Sequence, residues 1–130
     1  MQRTEVNVAT GEVRVIELTA AEVTAQVAAA RVAAPSIKIA EVKAEAQRRI
    51  YAILPQWKQA NLTARGVEMN AKRIAGGTLT QSEQDEMAAG FALWGKVKAV
   101  RTASNLVEQD IQASTNPASF DVAGSTRWPV

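Results

Sequence analysis

Ala75-Gly76-Gly77-Thr78-Leu79-Thr80-Gln81-Ser82-Glu83 is the stretch on which the fold turns. Two adjacent glycines stop a helix, because glycine accepts the left-handed backbone that a helix end commonly needs. Thr80 with Glu83 three residues later has the spacing of a capping box, which starts the next helix. Lys72 and Arg73 precede the stop and Glu83, Asp85 and Glu86 follow the start. Both groups therefore sit where the helix dipole favours their charge. With only about four residues between helices, the two neighbours must run antiparallel.

Reading outward, both flanks carry helical periodicity. Upstream, Ile39, Val42, Ala46, Ile50, Ile53 and Trp57 recur at steps of three and four, and the pattern resumes through Leu62, Val67 or Met69, and Ile74. Pro55 lies inside this run, and either kinks one helix or begins a second. Downstream, Leu93, Val97, Val100, Ser104, Val107 and Ile111 form a heptad-like seam, widened by Phe91 and Trp94. At 1.5 Å per residue the flanks measure roughly 55 Å and 50 Å, a match in length that suits a hairpin. Trp57 and Trp94 are expected in its core.

The ends read differently. Glu5-Val6-Asn7-Val8 and Glu12-Val13-Arg14-Val15 alternate polar and apolar around Thr10-Gly11, which predicts a β-hairpin over residues 1–18. A lone two-stranded hairpin is marginal in water and needs a surface to lie on. Thr19 and Glu22 repeat the capping-box spacing and start a short alanine-rich helix or linker over 19–36, interrupted at Pro35, with Ser36 placed to cap the next helix. The tail 114–130, rich in Ser, Thr, Pro and Gly, is expected to be irregular, yet it holds Phe120, Val122, Trp128 and Pro129. The overall expectation is a mainly α chain: an antiparallel, coiled-coil-like helical hairpin over 37–113, a short N-terminal β-hairpin and an irregular, partner-binding C-terminal tail.

Composition narrows function. The chain has 130 residues, the size of one domain, and neither cysteine nor histidine. Disulfides, thiolate chemistry, Cys/His zinc sites and a Ser-His-Asp triad are thereby excluded. Glu41 with Glu45, and Asp85 with Glu86, are the carboxylate pairs, but both lie among lysines and arginines and read as solvated faces. Gly76-Gly77 lacks the Gly-Lys-Ser/Thr of a phosphate loop. No catalytic, cofactor or metal residues are expected, and the chain is read as a non-enzyme. The formal net charge is only +2 with both signs interspersed, so no basic stripe suggests nucleic acid, and no apolar run is long enough for a membrane. Arg101 could reach Glu45 across the hairpin as a weak surface pair. The remaining function class is protein binding. The expected partner-binding residues are Val6, Val8, Val13 and Val15 on the hairpin and Phe120, Trp128 and Pro129 on the tail, Trp128 because tryptophan beside arginine is enriched at interface hot spots.

The stretches from Ala46 to Arg65, AQRRIYAILPQWKQANLTAR, and from Trp94 to Asn105, WGKVKAVRTASN, resemble segments of small tail-region proteins of tailed bacteriophages. The likeness covers about residues 37–112, and its specific part is the Pro-x-Trp-Lys-Gln-x-Asn string at Pro55–Asn61. A looser similarity is to the C-terminal part of phage tail fibre assembly proteins, carried by Thr80, Glu83, Trp94, Val97, Val100, Trp128 and Pro129. The N-terminal hairpin is shorter, and the tail longer, than in that family. This resemblance implies a chaperone for a trimeric tail fibre protein, working in the host cytoplasm during assembly and able to stay in the virion tail. The alternative it implies is a structural virion component of the baseplate or fibre attachment. That component would be a homo-oligomer associating through the heptad seam.

Overall fold

The computed structural model describes residues 1–130. Strands β1 (Gln2–Val6) and β2 (Val13–Glu17) are followed by helices α1 (Ala20–Ile53), α2 (Gln56–Ile74) and α3 (Gln81–Ala113), and a 3-10 turn at Pro117–Ser119. The chain is mainly helical with a short antiparallel N-terminal hairpin, and α3 packs on α1 as a helical hairpin.

The helix boundaries arise from local chemistry. Thr19 and Thr80 each accept the backbone N–H of the glutamate three residues on, and each glutamate accepts the threonine N–H in return. These are reciprocal capping boxes, which satisfy two otherwise orphan donors. At the end of α2 the Gly77 N–H donates to Lys72 O (2.9 Å) and the Gly76 N–H to Arg73 O (3.0 Å). This is the Schellman arrangement, and Gly76 has the positive φ of 83° that it requires.

The two prolines behave differently. Pro55 splits the long run: Leu54 is pushed to extended backbone (φ −147°, ψ 90°), the conformation imposed on a residue before proline. Gln59 repairs the break by donating its side-chain amide to Leu54 O at 2.8 Å. Pro35, expected to interrupt a short helix, does not: α1 runs through it without a break. Ser36 is accordingly an interior residue and caps nothing. Proline costs one i→i−4 hydrogen bond there. Strong helix formers on both sides and the tail packed against this part of α1 outweigh that loss.

The core lies between α1 and α3. Val42 and Ala46 meet Val100, Ala103, Val107 and Ile111, and the tail adds Val122 and Trp128; Ile50, Ile53 and Phe120 pack at its margin. The α3 seam expected from sequence is buried at Val97, Val100, Ser104, Val107 and Ile111. Small residues at Ala46, Ala103 and Ser104 let the helices approach closely, so valines suffice to fill the space.

Candidate binding surfaces

The C-terminal tail closes on the helical body instead of projecting from it. Trp128 is only 6% exposed and sits in the α1–α3 core. Its indole Nε1–H donates to Val122 O at 2.7 Å, so its one polar group is satisfied inside the tail itself. The Arg49 guanidinium lies 5.0 Å from the indole centroid, a cation–π distance, and donates through Nη2 to Ala123 O at 3.2 Å. Arg127 forks onto Asp110 of α3 through Nε (2.8 Å) and Nη2 (3.1 Å). The Arg127 guanidinium holds the Asp110 carboxyl below its ordinary range. The expectation that Trp128 docks on a partner is therefore corrected: its apolar surface is already spent on its own chain. Phe120 is half-buried against the same core, and Pro129 is exposed. No periodic signal marks this closure. The cue in the sequence was the run of large apolar groups in a polar tail, with Arg127 set to reach a carboxylate on α3.

Beneath the tail, Glu45 accepts from both Arg48 (2.7 Å) and Arg49 (2.6 Å). The Arg48 hydrogen bond, and then that of Arg49, lower its carboxyl to about 2. The expected Glu45–Arg101 pair is not formed; Glu45 instead orients Arg49 toward the indole. Glu83 is likewise lowered to about 2, first by the Lys72 side chain and then by the Thr80 backbone N–H. No cluster of three or more acidic groups is arranged to hold a metal ion, and no helix is long and apolar enough to cross a membrane.

The N-terminal surface is open. Strand pairing runs from Gln2↔Glu17 through Thr4↔Val15 to Val6↔Val13, which puts Val6, Val13 and Val15 on one face. All three are more than half exposed. Val8, expected in a strand, lies in the Asn7–Glu12 loop and is 97% exposed. The Asn7 side chain accepts the N–H groups of Ala9 and Thr10, which ends the strand early. Arg3 joins the hairpin to the start of α1 through Glu22 at 2.6 Å. Beyond it, every residue from Thr24 to Ala33 is exposed. The opposing helix α3 ends before it reaches that part of α1.

No protein-family model, curated protein or solved structure matches the chain. The surfaces therefore stand on their own chemistry. A third one lies at the far end of the molecule, between α2 and α3. Leu62, Val67, Met69, Met87, Phe91 and Trp94 line a groove of about 400 Å³ there. Trp57, expected in the hairpin core, is 66% exposed, because the break at Leu54-Pro55 changes the helical phase and turns Leu54 inward in its place. Trp94 is half-buried at the groove wall.

Proposed function

We propose that this protein is a bacteriophage tail fibre-associated protein that acts by binding, as an assembly chaperone for a trimeric tail fibre protein in the host cytoplasm, and that it can remain on the fibre. The phage context rests on the resemblance of residues 46–65 and 94–105 to tail-region proteins. The observation that carries a binding role is the contrast between the two ends of α1. Its C-terminal half is packed against α3 and the tail, while its first half and the β-hairpin leave Val6, Val8, Val13 and Val15 exposed.

The hairpin has two free edges, each with backbone donors and acceptors, and a valine face. An unfinished fibre trimer exposes strand edges and apolar surface that would otherwise aggregate. Pairing the hairpin with such an edge would supply hydrogen bonds from the backbone and apolar contact from the valines. Of the tail residues named from sequence, Pro129 alone is exposed, and it lies beside Trp128 on the packed body, at a distance from the hairpin.

Co-expression with the fibre protein tests the reading. The yield of soluble fibre trimer is expected to rise with the intact chain and to fall back when Val13 and Val15 are both changed to threonine, which keeps strand propensity but removes apolar surface. Equal yields with and without the chain would refute a chaperone role. Mass spectrometry of purified particles then decides between a protein that leaves and a permanent component of the baseplate or fibre attachment.

A further inference from the structure

We infer that the α2–α3 groove is the contact face between two copies of this chain, joined antiparallel across a two-fold axis near Phe91. In α2 only Met69 is buried, so this end of the hairpin leaves most of its apolar stripe in water. Val67 is 66%, Phe91 69% and Ile74 79% exposed, and all three flank the groove or lie one turn along it. Phe91, the half-buried Trp94 and these aliphatic neighbours form a patch of roughly 400–500 Å², within the range of the largest patch that a typical monomer carries. Two such patches with their rims reach the roughly 1,000 Å² that a specific interface requires.

The sequence of α3 makes the patch complementary to itself. Met87–Gly95 is an uncharged stretch, MAAGFALWG, with Glu83, Asp85 and Glu86 before it and Lys96, Lys98 and Arg101 after it. Lys96, Lys98 and Arg101 form no ion pair within the chain, and neither does Asp85. An antiparallel copy turns the acidic end of one helix toward the basic end of the other, with Glu86 in register with Lys96 of the second copy, whereas a parallel copy sets like charges together. Glu83 and Glu86 also pair with Lys72 and Arg65 of their own chain. Size matches as well. With Phe91 at the axis, Met87 lies four residues before it and Gly95 four after, so each methionine faces the other copy's glycine. Trp94 and Ala88 are related in the same way at three residues. No atom lies within 4 Å of the position a Gly95 side chain would take, so the socket is open.

Sedimentation equilibrium of the full chain up to roughly 100 μM, where contacts of this size still associate, tests the inference. The wild-type chain is expected to form dimers, and Phe91→Glu and Gly95→Leu are each expected to raise the dissociation constant by about tenfold or more. Both side chains are solvent-facing in the monomer, so the far-ultraviolet circular dichroism of each variant should match the wild type. Phe91→Cys, in a chain with no other thiol, is expected to oxidise to a covalent dimer, and Ala99→Cys on the outer face is not. A wild-type monomer throughout this range would overturn the inference and leave the groove to an unrelated protein. A dimer indifferent to Phe91→Glu and Gly95→Leu, or equal crosslinking at Ala99→Cys, would overturn it too.

Discussion

Replacing Trp128 with alanine should destabilise the whole helical body, although the residue is two positions from the chain end. With 6% of the residue exposed, roughly 200 Å² of largely apolar indole leaves water on folding. At about 25 cal/mol per Å² that is worth about 5 kcal/mol, and a compact unfolded chain reduces it to about 3–4.5 kcal/mol. The Nε1–H···O bond to Val122 and the Arg49 contact add about 0.5–1 kcal/mol each, partly offset as the Val122 carbonyl meets water. The expected loss is therefore about 3–5 kcal/mol, the range found for tryptophan truncated in a core. Against a total stability of about 5–15 kcal/mol this is a large fraction. Urea unfolding followed by helical circular dichroism measures it directly. Trp128→Phe, which keeps most of the apolar volume and loses the N–H, should cost clearly less than the alanine change. A loss below about 1 kcal/mol in Trp128→Ala would show that the tail is not part of the folding unit, and would return Trp128 to the candidates for partner contact.

The same geometry sets two further outcomes. Folding depresses the carboxyls of Glu45 and Glu83 from 4.5 to about 2, so each contributes stability that is complete above about pH 4.5 and is lost as pH falls toward 2. The melting temperature should drop over that window, and the drop should be smaller in Glu45→Gln, which has no proton to take up; an unchanged profile in that variant would remove Glu45 from the account. Gly76→Ala forces a side chain into a left-handed backbone at φ 83° and should cost about 1–2 kcal/mol in thermal unfolding, whereas Gly66→Ala, mid-helix with open space around it, should be neutral or stabilising.

Much of the helical layout was legible because it rests on local rules. The capping boxes at Thr19 and Thr80, the diglycine stop and the Val97–Ile111 seam are all set by neighbours within one or two turns. What escaped the sequence depends on distant contacts or on phase. Pro35 reads as a breaker by propensity alone, and its helix persists where the tail covers Ala34. Trp57 continues a stripe that Pro55 interrupts, so it lands outside while Leu54 goes in. Trp128 and Val122 have no periodicity to place them, and only the three-dimensional path of the tail brings them over Ala46 and Val107. Among the expected partner-binding residues, the four valines and Pro129 are open to solvent, Phe120 is half-covered, and Trp128 is taken up by its own chain. The α2–α3 groove was missed because its residues were read as core. The signal for it was the run of nine uncharged residues between two blocks of opposite charge on α3.

The exposed first part of α1 makes the chain a strut with the β-hairpin at its tip. A helix advances 1.5 Å and turns about 100° with each residue, so the ten residues from Thr24 to Ala33 set the β-hairpin roughly 15 Å along the axis from the α1–α3 core, with the tail residues Ser114–Ala118 alongside Val27, Ala30 and Arg31. Removing Ala25, or adding an alanine beside it ahead of the tail contact at Val27, would swing the valine face a quarter-turn or more about the axis. The length of this plain alanine-rich segment therefore sets the direction in which the valine face of the hairpin points relative to the helical body.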